Sequence, residues 1–272
     1  MERPCVRSRQ ISVAPRRWKV LAVGVASAGV AAITAAIVAY VYAHRELAVS
    51  PGPALVSVDG LTVSVLDFSP SCLTPATVEV SESYRAVSLT EWYPAGVGWC
   101  FDYGPGTRTI TVRLRTPLGH RELIDGTTGR PLPWFDQRRE LVPGYLPLGY
   151  TPRAATPLIT PEAAGPVYGP GAPGLQVPPN VPNLPACSRE FVSAAGFVVI
   201  TQVIAPPVTT SREGVVVWVQ GHRASFGHGV LNWGVLNWRD GAQAIQVRGR
   251  TMSGAFPDAE LLAIARSLRP VG

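Results

Sequence analysis

Thr107-Arg108-Thr109-Ile110-Thr111-Val112-Arg113-Leu114-Arg115 decides the fold class. Ile110, Val112 and Leu114 fall on one side of an extended chain, and Thr109, Thr111, Arg113 and Arg115 on the other. That two-residue period is the mark of a half-buried antiparallel strand, apolar inward and polar outward. Upstream, Leu61, Val63 and Val65 alternate with Thr62, Ser64 and Leu66, and Asp59-Gly60 sets them off as one arm of a hairpin with Ala54 to Val58. Thr77 to Val80, Tyr84 to Thr90 and Gly98 to Tyr103 read as further strands. Residues 54–140 are therefore expected to form a β-sandwich-like domain of about six short strands.

The composition changes beyond it. Pro143 to Pro185 holds twelve prolines and six glycines. Few backbone donors remain for a ladder, so residues 141–186 read as a connector. Strand signals resume from 187 to 272. Phe197 to Ile204 and Val215 to Gln220 are rich in β-branched residues, and Asp240-Gly241 separates Leu236 to Arg239 from Ala242 to Val247 in a second hairpin. Pro257-Asp258-Ala259-Glu260 then opens a helix, with acids in its first turn, and Leu261, Ile264, Ala265 and Leu268 supply an apolar stripe.

At the other end, Val20 to Ala43 is twenty-four residues without a charge. As a helix it would extend about 36 Å, enough for a hydrocarbon core of about 30 Å. The net charge of +6 divides at this run. Residues 1–19 carry six basic side chains and one acidic, a net +5, and the rest of the chain is left with +1. Basic residues stay on the cytoplasmic side, so the sequence implies a single-pass protein of the cell membrane. Residues 1–19 would be a cytoplasmic tail, 20–43 a transmembrane helix in contact with the membrane, and the remainder extracytoplasmic. Cleavage after Val41-Tyr42-Ala43 is the competing reading, though a signal peptide's apolar region is usually about 7–15 residues. A balanced exterior gives no basic stripe, so nucleic acid is not an expected partner.

The expected fold class is thus mainly β, in two small antiparallel modules, with one N-terminal transmembrane helix and one C-terminal amphipathic helix. An exported location permits a disulfide. Cys72 with Cys100 is the favoured pair, closing a loop worth roughly 3 to 4 kcal/mol. That leaves Cys187 free, buried or paired between chains, whereas a Cys72–Cys187 bond would staple the two halves together.

Leu146-Pro147-Leu148-Gly149-Tyr150, Leu236-Asn237-Trp238-Arg239-Asp240-Gly241 and Glu260-Leu261-Leu262-Ala263-Ile264-Ala265-Arg266-Ser267-Leu268 occur in that order. Over residues 141–270 the chain resembles the uncharacterised extracytoplasmic domain at the C-terminal end of bacterial anti-sigma proteins. Residues 54–135, with Pro117-Leu118-Gly119-His120-Arg121, are similar to exported actinobacterial proteins, and one lysine against twenty-three arginines suits a GC-rich genome. The resemblance implies an envelope-facing role. It does not imply sigma-factor binding, since some nineteen residues before the apolar run are too few to fold alone.

Candidate chemistry is sparse. His222 and His228, six residues apart, lack a third ligand at metal spacing, so no metal site and no cofactor are assigned. No G-x-S-x-G, Walker loop, H-E-x-x-H or EF-hand loop is present, and no catalytic residue is assigned. His222, His228, Trp233 and Trp238 are the candidate ligand or partner surface. The expected function is binding or sensing at the cell envelope, toward a protein, glycan or lipid. The alternatives are a membrane-tethered hydrolase with a dispersed site and a structural subunit of a membrane complex.

Overall fold

The computed structural model describes residues 47–67, 76–93, 108–158, 184–206, 214–229 and 232–271. Residues 20–43, Cys5, Cys72 and Cys100 lie outside them.

Two four-stranded sheets face each other in the N-terminal half. One has β1 (Leu47–Val49), β5 (Ala86–Tyr93) and β4 (Thr77–Glu82) in that order, with β7 (Glu122–Asp125) also on β5; the other runs β6 (Arg108–Arg113), β3 (Thr62–Asp67), β2 (Ala54–Val56), β8 (Trp134–Asp136). Val63 and Val65 from one sheet meet Val87 and Leu89 from the other, and Leu114, Leu118, Leu123 and Leu132 complete the core between them. Ile110 and Val112 face this core while Thr109, Thr111 and Arg113 are exposed, as their alternation requires. Asp59-Gly60 does turn the chain, with Gly60 at φ +71°.

The C-terminal half is a nine-stranded sheet. Its path runs β10 (Thr151–Pro152), β12 (Ala186–Ser193), β13 (Gly196–Ile204), β17 (Gln243–Thr251), β16 (Gly234–Asp240), β15 (His222–His228), β14 (Val215–Val219), with β11 (Thr156–Pro157) also on β12 and β18 (Gly254–Ala255) on β17. Helix α1 (Asp258–Arg266) lays Leu261, Ile264 and Ala265 on one face, against Leu236, Trp238, Ile245 and Val247. Past the helix, β19 (Leu268–Pro270) pairs with β9 (Leu141–Pro143). Strands β9, β10 and β11 all fall in the proline-rich stretch. Each is only two or three residues long and sits at an edge, where a missing N–H costs little.

The expected fold class needs correction on three counts. The described residues are mainly β, but α1 is their single α-helix, and none of them forms a helix long and apolar enough to cross a membrane. Nine residues at 1.5 Å each reach about 14 Å, roughly half a hydrocarbon core. The sheets are not purely antiparallel either, because β2 pairs with β8 and β5 with β7 in parallel. Nor do the two β regions stand apart: their described residues, within 47–93 and 108–271, group into one compact unit. Leu55 and Phe135 from the first region pack on Cys187 from the second, and buried Glu140 accepts hydrogen bonds from Arg189 Nε and, at 2.9 Å, Nη2. Neither alternation nor hairpin signals carry information about such contacts. Among the described residues there is no disulfide, and Cys187 is free and buried.

Candidate functional site

The four residues singled out from sequence do not converge. His222 and His228 stand at opposite ends of β15, about 20 Å apart at strand rise. Each finds its own acid instead: His222 Nε2 lies 3.7 Å from Asp240 Oδ1, and His228 Nε2 lies 3.4 Å from Asp258 Oδ1. Ser225 occupies the other parity of the strand and so projects from the opposite face. Trp238 is buried in the core beneath α1, and Trp233 packs on the Phe197 ring at 4.9 Å with the Arg248 guanidinium 5.3 Å above it. No group of three or more metal-ligating side chains occurs among the described residues.

Two other clusters carry chemistry. The first continues the inward period of two strands. After Val63 and Val65 the next inward residue of β3 is Asp67, and after Val87 and Leu89 the next of β5 are Glu91 and Tyr93. Both carboxyls are buried, Asp67 at 0% and Glu91 at 2% exposure. Tyr93 Oη spans the gap between the sheets, 3.0 Å from Glu91 Oε1 and 3.2 Å from Asp67 Oδ1. Arg108, directly opposite Asp67 in the ladder, places Nη2 3.4 Å from Oδ2. Burial pushes the Glu91 carboxyl up to about 7 against the pull of the Tyr93 hydrogen bond, and the charge of Asp67 adds to the rise. Burial and the two carboxylates likewise raise the Tyr93 phenol. One phenol proton cannot serve two carboxylates. A protonated Glu91 resolves this by donating to Tyr93, which then donates to Asp67. The cluster can therefore hold a proton near neutrality.

The second cluster is an open cleft of about 730 Å³ between the β4–β5 turn and the segment from Thr116 to Glu122. Ser83 builds the turn: its Oγ accepts from Ala86 N at 3.0 Å and Arg85 N at 3.3 Å, which leaves Tyr84 and Arg85 at the tip. Tyr84 is 81% exposed, with the Arg85 guanidinium 4.9 Å from its ring centroid. Across the cleft, buried Leu118 anchors the opposite wall, and the chain turns at Gly119 with φ +55°. Arg121 lashes the walls together, donating from Nη1 to Glu82 Oε2 at 2.9 Å and from Nη2 to the Thr116 and Pro117 carbonyls at 2.6 and 3.0 Å. Glu82 is held below its ordinary range by the Arg115 N–H and then by Arg121. With Arg121 so committed, the cleft presents one aromatic ring, the Arg85 cation, the exposed His120 imidazole and, beside Arg121, the exposed Glu122 carboxylate.

His120 stands in a run quoted above only for its resemblance, and Tyr84 and Arg85 read as strand. The signal for them was the polar sequence Ser81-Glu82-Ser83 ahead of Tyr84-Arg85, which reads as a turn as readily as a strand. No protein-family model matches the chain, and no curated protein matches it.

Proposed function

We propose that this chain is a binding or sensing protein of the cell envelope. In this reading residues 20–43 hold it at the membrane and the β unit lies outside, with the cleft between Tyr84-Arg85 and Thr116–Glu122 as its ligand site. The observation that carries the reading is the Tyr84–Arg85 pair at the rim of a cleft braced by Arg121. An exposed aromatic face beside a cation suits a saccharide ring that bears an acidic group: the ring stacks, and the guanidinium meets the carboxylate or phosphate. The resemblance of residues 141–270 to an extracytoplasmic domain and the basic N-terminal tail are consistent with that address.

Calorimetric titration of the full chain in detergent with two soluble wall oligosaccharides, one uronate-bearing and one neutral, tests it. The uronate form is expected to bind, and Tyr84→Ala and Arg85→Ala are each expected to weaken it about tenfold or more, near 1.4 kcal/mol. Both side chains are exposed, so neither change touches the core. Binding that survives both substitutions, or no binding at all, would remove the assignment.

A further inference from the structure

β14 is the longest edge strand among the described residues that carries neither charge nor proline. Pro152 and Pro157 block the far side of the same sheet, and elsewhere the longer edges carry charge: Glu79 and Glu82 on β4, Arg108 and Arg113 on β6, Glu122 and Asp125 on β7. Such residues keep edges from pairing with other chains. β14 reads Val215-Val216-Val217-Trp218-Val219, with no charge, no proline and no bulge. Val215, Val216 and Trp218 are exposed, Trp218 at 62%. Among the described residues no strand pairs with its outer side.

The register identifies the backbone groups that are open. Val219 and His222 flank Gln220-Gly221, both at positive φ (52° and 81°), a two-residue turn whose closing pair is hydrogen-bonded. Alternation then aims the backbone groups of Val215, Val217 and Val219 at β15, and those of Val216 and Trp218 outward. Gln220 Nε2 donates to the Arg266 and Leu268 carbonyls, so the hairpin is fastened to the end of α1 and the edge is held in place.

We infer that β14 pairs antiparallel with β14 of a second copy of this chain, about a two-fold axis through Val217. The strand is nearly palindromic. A two-fold sets Val216 opposite Trp218 of the other copy twice over, as hydrogen-bonded pairs, and Val217 opposite itself as the close, non-hydrogen-bonded pair. No like charges meet, because the flanking Gly214 and Gln220 are also neutral, and the β15 strands that carry Arg223 stand three strand spacings apart, about 14 Å, beyond the screening length at physiological salt. Four hydrogen bonds and two tryptophans make a small contact, under about 1,200 Å², so a micromolar dimer is expected.

Two cysteine variants of the full chain test this under mild oxidation, with the wild-type chain and its four native cysteines as the baseline. Val217→Cys places two thiols at a separation of about 4.5 Å between Cα atoms, within disulfide range. It should give a reducible dimer at a yield about tenfold above wild type, and adding Trp218→Arg should return the yield to baseline. Val216→Cys, which would face tryptophan, should not cross-link. A Val217→Cys yield no higher than wild type, or one indifferent to Trp218→Arg, overturns the pairing. Sedimentation of the unaltered chain is the independent check, and a monomer at about 100 μM, far above a micromolar dissociation constant, would overturn it as well.

Discussion

Glu91 shows how much one side chain can change the behaviour of the unit. Its carboxyl titrates at about 7 when folded against an ordinary value of 4.5. Below pH 4.5 both folded and unfolded states hold the proton, and this residue makes no difference to stability. Between 4.5 and 7 the unfolded chain loses its proton first, so stability falls as pH rises, by about 3 kcal/mol in all, and stays lower above that. Urea unfolding at pH 5 and pH 8 measures the difference. Glu91→Gln keeps a donor for Tyr93 in its amide group and cannot ionise, so the variant is expected to lose most of that pH dependence and to be the more stable form at pH 8. A wild-type chain that is as stable at pH 8 as at pH 5 would refute the burial argument. The two-residue period already held this cluster, since Asp67 follows Val63 and Val65, and Glu91 follows Leu89. What it lacked was the facing of β3 and β5 from different sheets, which brings the two acids to one phenol.

Among the elements, the second sheet and its helix were the most legible. Asp240-Gly241 placed the hairpin to within a residue, with Gly241 at φ +55° as the turn demands. The stripe of Leu261, Ile264, Ala265 and Leu268 is buried as its spacing implies, though Leu268 already belongs to β19. The aromatic residues were harder to place, because a tryptophan's burial depends on which neighbour covers its face. Trp238 went to the core and Trp233 under Arg248, while Trp218, in a run apolar on both faces, was left exposed. Gly249 tests the packing of this sheet. A Cβ there would come within 2.7 Å of the Phe256 ring, itself buried in the core with Leu261. Gly249→Ala is therefore expected to cost about 1–3 kcal/mol by overpacking, read from the urea midpoint, although alanine suits a strand better than glycine does. A stabilised variant would mean that Phe256 yields freely.

At the scale of the whole unit, the join between the β regions was hidden from sequence because it rests on residues far apart in the chain. Glu140, at 0% exposure, has Arg189 as its counterion. Arg189→Met would leave that carboxylate buried without a counterion, with the Gln137 amide at 3.1 Å still donating to it, at a cost of about 3 kcal/mol, whereas Glu140→Gln with Arg189→Met should recover much of the loss. Thermal unfolding of the three chains reads both effects, and equal losses in the single and double variants would speak against the pairing.

Function at this scale depends on the cleft at residues 83–85 and 116–122 being the place where the unit meets its ligand. Amide chemical-shift mapping of the full chain titrated with the uronate-bearing oligosaccharide tests that most directly. The shifts are expected at Tyr84, Arg85 and Gly119 to Glu122, with His222 and His228 unmoved; shifts centred on β14 and β15, or no shifts at saturating ligand, would contradict it.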